Sequence, residues 1–279
     1  MKILLCAICW LICNVALAQQ LVTVPSLDQR NGQALPLTGH WLPVRTDKPA
    51  PALILLHGCG GAFDKQGQLD QRMQTYSAIL NAEGWHVLVL DSLNPRGQRE
   101  LCTQKIGTRS ITMTQRRRDT LGALAWLASQ PEVDPARLAL LGWSNGGSTV
   151  LASTNLNHAE VRNSGLRPKA AVAFYPGCVA DLNRGYAPDT QLLMLSGGAD
   201  DWTAAAPCES LAQQSAEPRP AIIVYPGAHH GFDSTAPVRL RAEVPNGVNP
   251  GRGVHVGGQP EAMQLSRQQM LAFLHEHLR

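Results

Sequence analysis

What most constrains the fold of this chain is a series of short, continuous apolar runs separated by segments of helical spacing. Leu53-Ile54-Leu55-Leu56, Trp85–Leu90, Leu138–Leu141, Ala170–Phe174, Leu192–Ser196 and Ala221–Tyr225 are each four to six residues long. Continuous runs of this length suit strands buried on both faces, where side chains of either parity meet protein. Between them, Leu69–Glu83 places Met73, Tyr76, Ile79 and Leu80 on one helical face and stops at Gly84. A second helix is expected from a cap at Thr114 through Gln130, with Leu121, Leu124 and Leu127 inward. Gly146–Thr154 opens a third, and Glu261–Leu278 forms an amphipathic terminal helix with Met263, Met270, Phe273 and Leu274 inward. Two short leading strands are expected near Leu21–Val24 and His40–Val44. Strands alternating with helices predict a mostly parallel α/β sheet with right-handed crossovers.

Residues 19–279 show no internal repeat and no linker, so a single domain is expected there. Residues 1–18 have a different character. Lys2 is followed by the almost wholly apolar stretch Ile3–Leu17, the small-x-small site Ala16-Leu17-Ala18, and the polar pair Gln19-Gln20. This pattern predicts a removable signal peptide, hence a periplasmic or secreted protein. No later run is apolar for long enough to span a bilayer, so no stable membrane insertion is expected after removal. The formal charge of +3 becomes +2 without Lys2, a bias too weak to suggest nucleic acid as a partner. Four cysteines, Cys59, Cys102, Cys178 and Cys208, lie beyond the signal. An even number in an exported chain suggests two disulfides, and no pair has metal-site spacing.

The chemistry concentrates at Gly142-Trp143-Ser144-Asn145-Gly146, between a strand and a helix. A sharp turn there lifts a serine above the sheet, and glycines remove side chains that would collide in the bend. Ser144 is therefore the expected nucleophile. It needs an imidazole base and a carboxylate that orients the base. In chain order, the acid should follow the strand Leu192–Ser196, where Asp200 is the first candidate and Asp201 the second. The base should follow Ala221–Tyr225, where His230 is preferred over His229. The developing oxyanion needs backbone donors. These are expected from Asn145 and from the loop His57-Gly58-Cys59-Gly60-Gly61, with Cys59 ahead of Gly60. Trp143 and Trp202 flank the proposed site and are candidates for an apolar wall against an acyl or aryl group. Arg96 and Arg99 are candidates to clamp a substrate carboxylate. Arg116-Arg117-Arg118 is expected to form a solvated helix face, and the Gly- and Pro-rich stretch Asp233–Pro260 to cover the pocket as a flap.

Four stretches resemble the dienelactone hydrolase family of α/β hydrolases. They are His57–Gly61, Gly142–Gly147, Asp200-Asp201-Trp202-Thr203 and Tyr225-Pro226-Gly227-Ala228-His229-His230-Gly231-Phe232-Asp233. The resemblance implies the α/β-hydrolase fold with an eight-stranded sheet flanked by helices. It also implies a nucleophile–Asp–His triad and hydrolysis of small esters or lactones without a cofactor. The family pattern favours Asp200 and His230 as the acid and base. Dienelactone hydrolases proper use a cysteine nucleophile held by a glutamate near the first glycine loop. Ser144 and His57-Gly58 stand there instead, which points to a serine esterase. Cys59 and Cys102 fall on loops after neighbouring strands, and Cys178 and Cys208 on loops after the next pair, so the expected disulfides are Cys59–Cys102 and Cys178–Cys208.

Overall fold

The computed structural model describes residues 19–279. The expected signal peptide, residues 1–18, lies outside the described residues. In chain order the elements are β1 (Gln20–Arg30), β2 (Gln33–Leu42), β3 (Ala50–Leu56), α1 (Gln71–Ala82), β4 (His86–Asp91), a 3-10 turn (Asn94–Arg96), α2 (Met113–Ala128), β5 (Val133–Trp143), α3 (Asn145–Thr154), α4 (Ala159–Asn163), β6 (Ala170–Phe174), α5 (Val179–Arg184), β7 (Gln191–Gly197), α6 (Ala206–Gln214), β8 (Ala221–Tyr225), β9 (Arg239–Arg241), β10 (Val254–Val256) and α7 (Pro260–His277). Eight strands form one sheet in the order β1-β2-β4-β3-β5-β6-β7-β8. All neighbours from β4 to β8 are parallel, while β1–β2 and β2–β4 are antiparallel. The six apolar runs read from the sequence are the six parallel strands.

Alternation within these strands divides the core into two layers. Ala52, Ile54 and Leu56 of β3 pack with Leu121, Leu124 and Leu127 of α2 and Val150 and Leu151 of α3. Leu53 and Leu55 point the other way, toward Met73, Tyr76 and Leu80 of α1 and Met270 and Leu274 of α7. The strand order turns back on itself at β3, from which the chain passes to β4 on one side and then returns to β5 on the other. Loops leaving neighbouring strands on either side of such a switch point diverge and leave a crevice at the carboxyl edge. The loop after β3 and the turn after β5 both open onto this crevice.

Several local expectations change. The two leading strands are longer than predicted and form a hairpin closed by Asn31 and Gly32, both with positive φ (54° and 78°). An Asn-Gly pair is suited to that twist, so it was a hairpin signal in the sequence. Helix α2 is capped by Thr112, not Thr114, in a reciprocal capping box with Gln115. The arginine run on α2 is not a solvated face. Arg116 is fully buried and Arg117 nearly so. Arg117 and Arg118 both pair with Glu160, and Arg118 also with Asp28. A helix that packs over β1 and β5 has too little free surface to hold three consecutive arginines in water.

Candidate active site

Ser144 occupies the turn between β5 and α3 with φ 54° and ψ −116°. Positive φ is strained for a residue with a Cβ, on the order of 1–3 kcal/mol, and survives only where the surroundings impose it. Here the Ser144 N–H donates to Phe174 O (2.9 Å), and the Ser148 N–H donates to Ser144 O (2.8 Å). The flanking glycines are steric requirements. A Cβ on Gly142 would lie 2.3 Å from Gly146 O, and one on Gly146 would lie 1.9 Å from Leu56 O.

His230 follows β8, and its Nε2 lies 2.8 Å from Ser144 Oγ. Its Nδ1 lies 2.8 Å from Asp200 Oδ2, at the end of β7. A carboxylate only accepts, so Nδ1 carries the proton donated to Asp200 and Nε2 is free to accept from the serine hydroxyl. Asp200 is nearly buried. Its Oδ1 accepts the N–H groups of Trp202 and Thr203 at 2.8 Å each. Burial pushes the Asp200 carboxyl up, but the neighbouring imidazole and these donors outweigh it and hold it below the ordinary carboxylate range. Thr203 Oγ1 adds a contact at 3.0 Å to Asp200 Oδ2, to His230 Nδ1 and to Tyr175 O. The rival candidates are engaged elsewhere. Asp201 accepts from the backbone N–H of His255 and contacts its Nδ1 at 2.7 Å. His229 stacks toward His255 at 5.5 Å between ring centroids.

Cys59 and Gly60 face the same crevice. The Cys59 N–H has no backbone partner among the described residues. The Asn145 N–H belongs to the first turn of α3, where helical donors have no intrahelical acceptor. Cys59 lines the cavity and Asn145 directly follows Ser144 in the chain.

The model of the dienelactone hydrolase family matches residues 41–278. This chain belongs to the dienelactone hydrolase family. It is 26% identical to the Bacillus subtilis (strain 168) protein described as "Putative hydrolase YtaP" over 116 residues, which is 38% of this chain and 39% of that protein. It thus matches about two fifths of the length of this curated relative. Among solved structures, it resembles dienelactone hydrolase from Anabaena variabilis ATCC 29413, with TM-score 0.64 and 16% identity over 94% of this chain and 99% of that one. A dienelactone hydrolase-like promiscuous phosphotriesterase, P91, from metagenomic libraries gives TM-score 0.64 at 18% identity, covering 93% and 99%. At such identities these structures establish the α/β-hydrolase fold.

In this family member the crevice becomes a cavity of about 230 Å³. The expected flap is part of its wall. Ser234, Ala236, Arg239, Arg241, Val256 and Gly257 line the cavity from the 233–260 stretch. This stretch folds back as the two-stranded β9–β10 hairpin, and Val256 forms a bridge with His230. It is tied to the loop after β7 by the Val248 N–H donating to Asp201 O (2.9 Å). Trp202 packs on the His230 ring at 4.7 Å, and Tyr175 packs on it at 4.6 Å. Trp143 reaches the cavity but is 1% exposed, held between Tyr76 and Phe174. Its role is mainly core packing.

Arg96 is not a substrate clamp. Its guanidinium forms a two-pronged pair with Asp119 (2.8 Å twice) and a bridge to Asp28 (3.0 Å), outside the cavity. Arg99 is exposed and also lies outside it. Loop position predicted which edge they reach, not which way they turn. The cationic residues that do line the cavity are Arg72, Arg239 and Arg241. Arg72 is paired with buried Asp233, which also accepts the Tyr175 hydroxyl at 2.6 Å. Arg241 pairs with Glu243 and lies over the Trp202 ring. Asp233 closes the His-His-Gly-Phe-Asp motif, so its presence was visible in the sequence. Its partner Arg72, 161 residues away, was not.

The cysteines join as Cys59–Cys102 and Cys178–Cys208. The first bridge ties the loop carrying the Cys59 N–H to the loop after β4, and both of its residues line the cavity. Replacing Cys59 and Cys102 together with serine should lower kcat at least about fivefold. By the chain-entropy argument it should also remove roughly 4 kcal/mol of stability for a 43-residue separation. The Cys178/Cys208 double variant should lose comparable stability with a smaller change in kcat. Initial rates on an ester and chemical denaturation of both variants separate the two effects. Equal kcat in the two variants would show that the first bridge does not support the site.

Proposed function

We propose that this protein is a serine esterase that cleaves small carboxylic esters or lactones. The observation that carries this reading is the unbroken hydrogen-bonded chain Ser144 Oγ–His230 Nε2 and His230 Nδ1–Asp200 Oδ2, each link 2.8 Å, beside a partly enclosed cavity. In this mechanism Ser144 attacks the carbonyl carbon as its proton passes to His230 Nε2. Asp200 holds the tautomer and stabilises the imidazolium. The carbonyl oxygen becomes an oxyanion between the Cys59 and Asn145 N–H groups. Collapse expels the alcohol, which takes the proton from His230. Water then repeats the sequence on the acyl-enzyme, releasing the acid and restoring Ser144.

The cavity size supports a small substrate. About 230 Å³ is below the roughly 300–1,000 Å³ of drug-sized sites. Its walls of Trp202, Tyr175, Ala236 and Val256 suit a short acyl group. A polyester depolymerase would instead want an open aromatic cleft, and here the β9–β10 hairpin stands over the site. Two disulfides are consistent with an oxidising compartment, in line with the export signal read at the N-terminus. The test is labelling with a fluorophosphonate probe followed by a p-nitrophenyl ester series of increasing acyl length. The expected result is stoichiometric labelling at Ser144 and a kcat/KM that peaks at short chains. No labelling of folded protein would overturn the esterase reading. A preference for long chains would overturn the substrate size.

A further inference from the structure

The proposed catalytic chain leaves Arg116 unused. It is buried within α2, on the inner side of the proposed site. Its Nη1 donates to two acceptors, His57 O (2.8 Å) and Asn145 Oδ1 (2.6 Å). The first belongs to the loop leaving β3 and the second to the first residue of α3. These are the two chain segments that supply the candidate oxyanion donors. Nε and Nη2 of the same guanidinium have no hydrogen-bond partner among the described residues. Burial pulls the group down to about 10, which still leaves it charged at neutral pH. A buried cation with two unused donors is costly, and its cost is not offset by a full ion pair. Its two contacts therefore carry unusual weight.

His57 extends the arrangement by one peptide. The Ser92 N–H donates to its Nε2 (3.3 Å), so Nδ1 bears the proton and donates to Gly58 O (2.7 Å). Burial and the adjacent Arg116 charge push this imidazole well below its ordinary value, so it remains neutral in that tautomer. The Gly61 N–H also reaches Gly58 O (3.3 Å). A trans peptide is planar, with its C=O and N–H pointing in opposite directions. Anchoring His57 O and Gly58 O therefore fixes the orientation of the Gly58 and Cys59 N–H groups, each opposite its own carbonyl. Gly58 sits directly against the nucleophile. A Cβ on it would lie 3.6 Å from Ser144 Cβ.

We propose that Arg116 is a positioning residue for the oxyanion hole, acting through His57 and Asn145 to fix the two strand ends that supply its donors. This rests on the esterase reading above. Arg116 touches no reacting atom. It sets the aim of donors that do their work only when negative charge develops, so its loss should appear in kcat and not in KM.

The experiment compares wild type, Ser144→Ala, Arg116→Met, Arg116→Lys and Asn145→Ala on p-nitrophenyl acetate. It also measures inhibition by phenylboronic acid, whose tetrahedral adduct on Ser144 places an oxygen in the hole. Turnover by wild type that is abolished in Ser144→Ala establishes the esterase reading independently. Its absence would refute that reading and not the role of Arg116 alone. With turnover present, Arg116→Met should lose roughly ten- to a hundredfold in kcat, less than the complete removal of a donor, with KM within twofold. Its phenylboronic acid Ki should rise in the same proportion. Arg116→Lys should recover part of both losses. Asn145→Ala, which keeps the N–H and removes only the side-chain tie, should lose about three- to tenfold in kcat and keep the wild-type fold. Wild-type kcat in folded Arg116→Met would overturn the inference. If that variant does not fold, wild-type kcat and Ki in Asn145→Ala would overturn it. A loss of kcat with unchanged Ki would also overturn it, since the hole would then still hold its oxyanion and the loss would arise elsewhere.

Discussion

Ser144→Ala is expected to reduce kcat for a p-nitrophenyl ester by at least about 10⁴-fold, to the level that binding and the oxyanion donors alone sustain. The size of the effect follows from the division of labour at the site. The hydroxyl is the only group in the His230–Asp200 chain that can form the acyl-enzyme. With a methyl group there, His230 has no nucleophile 2.8 Å from its Nε2 to deprotonate. The fold should be unaffected, because the strained φ of 54° at this position is imposed by backbone contacts and is the same for alanine. Circular dichroism and a thermal melt indistinguishable from wild type, combined with loss of fluorophosphonate labelling, would complete the result. Retention of more than about 1% of kcat in folded protein would remove Ser144 from the mechanism.

The second large effect separates two adjacent acids. Asp200→Asn should cost on the order of 10⁴-fold in kcat at neutral pH, whereas Asp201→Asn should stay within about threefold. An asparagine at 200 can offer an N–H to His230 Nδ1, which favours the tautomer with its proton on Nε2. That tautomer cannot accept from the serine. The loss of charge also removes the partner that stabilises the imidazolium. Asp200 is held below the ordinary carboxylate range by His230 and two backbone donors despite its burial, so it is ionised at neutral pH. Asp201 holds the β9–β10 hairpin through His255. Its replacement should loosen the cavity wall and raise KM more than it lowers kcat. Steady-state kinetics on both variants decide the matter, and reversal of the two effects would transfer the orienting role to Asp201.

Local chemistry made the scaffold and the proposed nucleophile readable. An apolar run four to six residues long has few options besides a doubly covered strand. Gly142 and Gly146 flank Ser144 because backbone passes within 2.3 Å of where their Cβ atoms would be, and that crowding is inherent in a strand-turn-helix. Family membership is carried by the same short motifs. Even the order Ser144, Asp200, His230 is a property of chain sequence.

The parts that required the folded structure depend on where side chains turn once distant segments meet. Asp200 and Asp201 are chemically alike and adjacent. The family pattern favours Asp200, and the approach of His230 to one and His255 to the other separates them. Arg96 lies on the expected edge but is captured by Asp119 of α2, a partner that loop position cannot reveal. Arg116 reads as one of three surface arginines until α2 packs over the β3 and β5 ends and draws it inside. Spacing along the chain determines which face of an element a residue occupies. The competition between water, a neighbouring charge and a buried carbonyl for its polar end is decided by residues tens to hundreds of positions away, so only the tertiary structure resolves it.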